Sequence, residues 1–349
     1  MQTNQILDKE IKVLVVEDSA FMRQLIKDLL AEYKNIKIET ASNGKIALQK
    51  IKELSPDVIT LDIEMPVLDG LSLLEMMRND NFFIPTIMLS RLTQKDGETT
   101  MKALELGAID FIPKPESGLM TIELDKLGQE LFDKITLSAK VKKPAINYNK
   151  NQPVKIKKAF IIPKVLLIGA STGGPGALYD IFSRLPQINV PILVVQHMPS
   201  GFTSSLAKRL NDISELDVKV GEEGDFLKPG TVYIAPGDYH MTITQDFCIS
   251  LNKSPTVKGV RPSIDVTLKS LAQVFGGRVL SVILTGMGND GSDGIKEIKK
   301  LGGKCIAQDQ ESCVVFGMPE AIIQNNNADS IVSLNKMPEE IVHYLINWA

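Results

Sequence analysis

The stretch Val165-Leu166-Leu167-Ile168-Gly169-Ala170-Ser171-Thr172-Gly173-Gly174-Pro175 reads as a buried strand that breaks into a glycine-rich turn and then a helix. It sets a serine where the strand ends and the helix begins. There the hydroxyl projects at the sheet edge, and backbone N–H groups face any anion that forms beside it. The spacing matches the Gly-x-Ser-x-Gly elbow of serine hydrolases. Glycines after a strand also cradle phosphates and dinucleotides, so the turn alone leaves nucleophile and phosphate loop both open.

Outward from the turn, apolar runs alternate with helix-period stretches in two series. Toward the C-terminus the strand candidates are Val165–Ala170, Pro191–Gln196, Thr231–Ala235, Val279–Thr285 and Lys304–Ala307. Helices are expected near Ser263–Phe275 and Gly294–Leu301, and an antiparallel hairpin around His240–Leu251. Toward the N-terminus the strands are Lys12–Val16, Ile36–Thr40, Val58–Asp62, Thr86–Leu89 and Ala108–Ile112. Helical stretches at Phe21–Glu32, Gly44–Leu54 and Leu71–Asn79 lie between them, and a last helix is expected from Thr121 to Val141. Strands alternating with helices imply parallel βαβ units. The fold class is therefore α/β twice over: an N-terminal (βα)5 domain and a C-terminal doubly wound parallel domain with an antiparallel hairpin. Between Lys140 and Lys164 stand eight lysines and no acidic residue, with Pro144, Asn147, Asn149, Asn151 and Pro153. Without a basic fold to support it, this run reads as a solvated linker rather than a nucleic-acid arm. The expected domains are 9–141 and 163–349, joined by a linker at 142–162.

Composition bounds the function. A chain of 349 residues suits two domains, and 44% hydrophobic with 23% charged residues is ordinary globular composition. The net charge of −3 gives no electrostatic reason to expect nucleic acid. Cys248, Cys305 and Cys313 form no Cys-x-x-Cys pair, which argues against a disulfide framework or zinc site and suits a reducing cytosol. The polar N-terminus lacks a signal-peptide core, and no apolar run approaches the ~18 residues of a membrane span. A cytoplasmic location without direct membrane insertion is expected.

Ligands of parallel sheets collect at the carboxyl ends of the strands. In the first domain these ends carry Glu17 and Asp18, Asp62, Ser90 and Lys114. Singly, each has a plain role as a cap, turn residue or surface amine. Together, three carboxylates and one ammonium suit a Mg²⁺ site beside a carboxylate that receives a phosphoryl group, with Lys114 and the Ser90 hydroxyl on the phosphoryl oxygens. Positions 11–120 resemble a response-regulator receiver domain. The matching pieces are Val-Val-Glu-Asp-Ser at 15–19, Leu-Asp-Ile-Glu-Met-Pro-Val-Leu-Asp-Gly at 61–70, Met-Leu-Ser at 88–90 and Asp-Phe-Ile-Pro-Lys-Pro at 110–115. The resemblance implies that Asp62 accepts phosphate from a histidine kinase, that Glu17 and Asp18 help bind Mg²⁺ and that the Glu64 carbonyl is a further ligand. Ser90 and Lys114 would sense the phosphoryl group. The resemblance also implies a cis Lys114–Pro115 bond. Arg91 replaces a small polar residue beside Ser90 and is expected to affect the domain interface.

The second domain offers the same strand ends with different chemistry. Ser171 follows its first strand, His197 ends the second, and Asp290 follows a later one in Leu284-Thr285-Gly286-Met287-Gly288-Asn289-Asp290-Gly291. A serine hydroxyl becomes nucleophilic when a base takes its proton, and a carboxylate fixes the tautomer of that base. Among three histidines, His240 at the hairpin mouth competes with His197, whereas His343 lies in the terminal amphipathic stretch Pro338–Trp348. Capping of the following helix is the plain alternative for Asp290. Backbone N–H groups of Met287 and Thr172 are candidates for an oxyanion hole. The order Ser…His…Asp departs from the Ser…Asp…His order of α/β-hydrolases. From about Val165 onward the chain resembles the chemotaxis protein-glutamate methylesterase family. That resemblance is carried by Ile-Gly-Ala-Ser-Thr-Gly-Gly-Pro at 168–175, Gln-His-Met-Pro at 196–199 and Ile-Ala-Pro-Gly-Asp-Tyr-His at 234–240. It continues in Arg-Pro-Ser-Ile-Asp at 261–265, Leu-Thr-Gly-Met-Gly-Asn-Asp-Gly at 284–291 and Ser-Cys-Val-Val-Phe-Gly-Met-Pro at 312–319. It implies a serine hydrolase that demethylates glutamate methyl esters of chemoreceptors and deamidates receptor glutamines. It implies no cofactor in the catalytic domain, and a receiver that covers the crevice until Asp62 is phosphorylated. A nucleotide-binding output module and a receiver-controlled DNA binder are the rival readings. The first lacks the acidic residue a ribose wants, and the second lacks a basic recognition helix.

Overall fold

The computed structural model describes residues 10–80, 82–91, 93–115, 121–141 and 165–348. The linker expected at 142–162 lies outside them. The chain divides into two compact units. In the first, apolar runs form β1 (Ile11–Val16), β2 (Ile36–Ala41), β3 (Val58–Asp62), β4 (Thr86–Ser90) and β5 (Asp110–Pro113). They make one parallel sheet in the order β2-β1-β3-β4-β5. Every residue of β3 and β4 is buried, as expected of central strands covered on both faces. The covering helices are α1 (Ala20–Ala31), α2 (Gly44–Leu54), α3 (Gly70–Asn79), α4 (Gln94–Glu105) and α5 (Thr121–Ser138). Short polar side chains start four of them: Ser19, Asn43, Asp69 and Thr93 each accept a bond from a first-turn N–H.

The second unit runs β6 (Val165–Ala170), α6 (Gly174–Phe182), β7 (Ile192–Gln196), α7 (Ser200–Ile213), β8 (Asp217–Val220) and β9 (Thr231–Ile234). The hairpin β10 (His240–Ile243) and β11 (Ile249–Asn252) follows, then α8 (Ile264–Phe275), β12 (Val279–Ile283) and α9 (Ser292–Lys300). The unit closes with β13 (Lys304–Gln308), α10 (Met318–Gln324), β14 (Ser330–Val332) and α11 (Met337–Ile346). Its parallel sheet has the order β14-β13-β12-β6-β7-β9-β8, and the hairpin stands apart as a two-stranded antiparallel sheet. Strand order reverses at β6, so the crevice at its carboxyl end is the switch point where doubly wound sheets take ligands.

The edge strands β8 and β14 were not anticipated. Asp217-Val-Lys-Val is four residues long with only Val218 buried, and Ser330-Ile-Val is too short to give a periodic signal. One expectation is corrected: the cis peptide among the described residues is Arg261–Pro262, and Lys114–Pro115 is not cis. An X–Pro bond favours trans by ~0.5–1 kcal/mol, so trans at Lys114–Pro115 is the ordinary outcome.

Candidate active site

Three neighbouring strands, β12, β6 and β7, end at this crevice. Ala170 pairs with Gln196 at the last rung of β6 and β7, and the His197 N–H donates to the Ala170 carbonyl at 3.0 Å. Ser171 and His197 thus leave adjacent strands at the same level. The serine backbone is pinned on both sides. Its N–H donates to Thr285 O at 3.1 Å, and its carbonyl accepts from Gly174 N at 2.7 Å and Gln196 Nε2 at 2.9 Å. Gln196 Nε2 also donates to the His197 carbonyl at 3.0 Å, so one buried amide ties both strand ends together. The Ser171 hydroxyl has no hydrogen-bond partner among the described residues. Nucleophile–base contacts of unliganded sites commonly tighten only when substrate binds.

Across the imidazole, His197 Nε2 lies 2.9 Å from Asp290 Oδ2. This leaves Nδ1 as the ring nitrogen free to take a proton. The Asp290 carboxylate does not cap the helix that follows it. Gly291 occupies that position (φ 94°) without a side-chain bond. Instead, Asp290 sits on the N-terminus of α8, accepting from Ser263 Oγ at 2.8 Å, Ile264 N at 2.6 Å and Asp265 N at 3.1 Å. A buried, unpaired carboxylate costs several kcal/mol, and these donors answer that cost. Burial by itself would raise its pKa. The hydrogen bond and charge of His197 and the two backbone N–H groups outweigh burial and bring it down to about 2.

Two glycines let the loops close on the serine. Gly173 starts α6 at φ 77°, and a Cβ there would stand 2.6 Å from Val314 Cβ. A Cβ on Gly286 would meet Ser171 Cβ at 2.7 Å. The N–H groups of Thr172 and Met287, on either side of this approach, donate to no other group among the described residues. Helix α6 also starts without a side-chain cap. Such an N-terminus attracts any anion, phosphate or oxyanion. The imidazole–carboxylate pair beside it favours the oxyanion. His240 is buried on β10, its Nε2 3.1 Å from Pro255 O, and His343 is exposed on α11 beside Asn347. Burial, helped by Asp309, raises the Cys313 thiol pKa, so this nearby cysteine is no rival nucleophile.

In the first unit, Glu17, Asp18 and Asp62 bring carboxylate oxygens within 4.8 Å of one another. Lys114 Nζ bridges two of them, 2.8 Å from Glu17 Oε2 and 2.7 Å from Asp62 Oδ2. Burial raises the pKa of both acids, Lys114 opposes it, and the neighbouring carboxylates add to it. The Glu64 N–H donates to the Asp62 carboxylate. Ser90 Oγ accepts from Thr100 Oγ1 at 2.7 Å, and Arg91 beside it is exposed. A hard divalent cation fits this set of oxygen donors.

Sequence reasoning missed the groups that hold Asp290. Ser263 before an apolar helix is a legible N-cap, but nothing local says that this helix end receives a carboxylate from 27 residues onward. Gln196, inside a motif quoted for its histidine, was passed over.

Both halves of the chain match known families. Residues 166–341 match the family model described as CheB methylesterase, and residues 13–122 match the response regulator receiver domain. A Pyrococcus horikoshii protein named protein-glutamate methylesterase/protein-glutamine glutaminase is 44% identical, covering 97% of this chain and 94% of its own. A Thermotoga maritima protein of the same name is 43% identical over 96% of this chain and 98% of its own. The crystal structure of the Thermotoga maritima CheB methylesterase catalytic domain is similar with a TM-score of 0.50 and 47% identity. It covers 52% of this chain and 97% of that one.

Proposed function

Since the chain belongs to the family of receiver-linked protein-glutamate methylesterase/protein-glutamine glutaminases, we propose that Ser171, His197 and Asp290 carry its hydrolytic chemistry and Asp62 controls it. The chain is a hydrolase, and its receiver implies a phosphodonor kinase. In the proposed mechanism Ser171 Oγ attacks the γ-carbonyl of a glutamate methyl ester on a chemoreceptor while His197 Nδ1 takes the hydroxyl proton. Asp290 stabilises the imidazolium, and the Thr172 and Met287 N–H groups receive the oxyanion. The C–O bond to methoxide breaks as His197 returns the proton, and methanol leaves. Water, deprotonated by the same imidazole, then releases glutamate from the acyl-serine. A glutamine side chain passes through the same tetrahedral geometry with ammonia leaving, which is the deamidase reading.

The bond of 2.9 Å between His197 Nε2 and Asp290 Oδ2, beside the serine turn, carries this reading. In the receiver, Glu17, Asp18, Asp62 and the Glu64 carbonyl would hold Mg²⁺, which supplies charge neutralisation for a phosphoryl group. Lys114 and Ser90 would contact that group once a histidine kinase has delivered it to Asp62. Among the described residues no helix is long and apolar enough to cross a membrane. Three free cysteines suit work in the cytoplasm, and the receiver and hydrolase units would occupy 9–141 and 163–349. The test is methanol release from methylated receptor with and without a small phosphodonor. Release that rises with phosphodonor in the wild type and not in Asp62→Asn is expected. An Asp62→Asn chain that is still stimulated would sink the regulatory assignment.

A further inference from the structure

A lysine stands where the local backbone asks for another residue. Val257 and Val260 exchange two backbone hydrogen bonds at 3.1 Å, and between them Lys258 (φ 51°) and Gly259 (φ 82°) are both left-handed. Two-residue turns of this kind favour Asn-Gly or Asp-Gly, and a long side chain in that region is strained. The ammonium explains the choice. Lys258 Nζ lies 2.8 Å from Asp265 Oδ2, 2.9 Å from Asp293 Oδ2, 3.0 Å from the Asn289 carbonyl and 3.1 Å from Ser292 Oγ.

These partners belong to the two segments that grip Asp290. One is the N-terminus of α8, whose Ile264 and Asp265 N–H groups donate to the Asp290 carboxylate. The other is the segment 289–293, which carries Asp290 itself and enters α9. Asp265 is 1% exposed, and its own carboxylate accepts from Gly294 N at 2.8 Å. Two buried carboxylates at one helix end repel each other, and burial already raises the Asp265 pKa with Asp290 adding to it. Removing the cation leaves that repulsion unanswered.

We propose that Lys258 is a positioning residue for the hydrolytic site: it ties the Asp290 loop to α8 and neutralises Asp265, so that Asp290 stays ionised and aimed at His197. The proposal rests on the reading of Ser171, His197 and Asp290 as the hydrolytic triad. Three full-length variants test it: Lys258→Asn, which installs the favoured turn residue, Lys258→Arg, and Lys258→Asn combined with Asp265→Asn. Two readouts are taken, methanol release from methylated receptor and the rate at which a fluorophosphonate labels Ser171. Lys258→Asn is expected to lower kcat and labelling about tenfold or more with KM within about twofold, because displaced catalytic groups cost rate rather than binding. Lys258→Arg should keep most of the rate, and the double variant should recover most of what the single one lost. Wild-type kcat in Lys258→Asn, or a folded double variant as slow as the single one, would overturn the proposal. Labelling that persists in Ser171→Ala would instead bring down the triad reading, and this proposal with it.

Discussion

The two crevices occupy the same place in their sheets, at the carboxyl ends of parallel strands where strand order reverses, yet shift the pKa values of their acids in opposite directions. In the receiver, Glu17 and Asp62 are buried around one ammonium, and burial pushes the pKa of each up from its ordinary value. In the hydrolase, Asp290 is buried as deeply but is met by an imidazole, a hydroxyl and two backbone N–H groups, and its pKa falls to about 2. The difference fits the role proposed for each crevice. A pocket with more negative charge than donors is completed by a cation and a phosphoryl group, so its state changes when they arrive. A pocket whose donors are already in place needs no reorganisation when charge develops, which is what catalysis requires.

The comparison breaks most sharply at Ser171. Ser171→Ala is expected to lower methanol release by about 10³-fold or more, since triad members act as a unit. Binding of Mg²⁺ to the receiver, followed by titration, should stay unchanged. Residual turnover near the wild-type value would mean that the crevice is not the catalyst. Asp290→Asn comes next, with a loss of about 10²–10⁴-fold, because the amide holds the wrong imidazole tautomer. It also carries a stability signature. The folded pKa of Asp290 is depressed, so its contribution is present above the ordinary value of 3.8 and lost as pH falls through about 2. Wild type and variant should therefore differ in unfolding free energy near neutral pH and converge in strong acid. A constant gap across that range would show that the carboxylate is not held ionised by its surroundings.

Both crevices were legible in the sequence to the depth of their strand ends. Runs such as Val165-Leu-Leu-Ile and Val58-Ile-Thr-Leu are buried without a break, and chemistry begins at the first polar residue after them. Position along the chain therefore located Asp62, Ser90, Lys114, Ser171 and His197. It could not say which strands are neighbours. That β12 pairs with β6 on the side opposite β7, bringing Asp290 across from His197, is a product of the fold. Capping of the following helix was the plain alternative for Asp290, and the carboxylate instead sits on the N-terminus of α8, which no local signal announces. Lys258 left no signal at all, because its meaning lies in partners 7 to 35 positions away that meet only after α8 and the start of α9 have packed.

The smallest expected effect sharpens the receiver side. With its folded pKa raised, ionised Asp62 is disfavoured in the native state, so at neutral pH the carboxylate subtracts from stability. Asp62→Asn removes that charge and also relieves Glu17, whose pKa Asp62 helps raise. The variant should gain about 0.5–2 kcal/mol in receiver unfolding at pH 7, the usual scale for relieving a functional site. As pH falls below the ordinary carboxylate value, Asp62 is protonated in folded and unfolded chains alike, and the gain should vanish. Mg²⁺ should reverse the order, because it binds the folded wild-type pocket and stabilises it in proportion to the logarithm of its concentration. Denaturant unfolding of both chains, with and without Mg²⁺ and at two pH values, reads all of this from one transition. A variant less stable than wild type at pH 7 without Mg²⁺ would mean that Lys114 already balances the acids, and the contrast with the Asp290 crevice would fall.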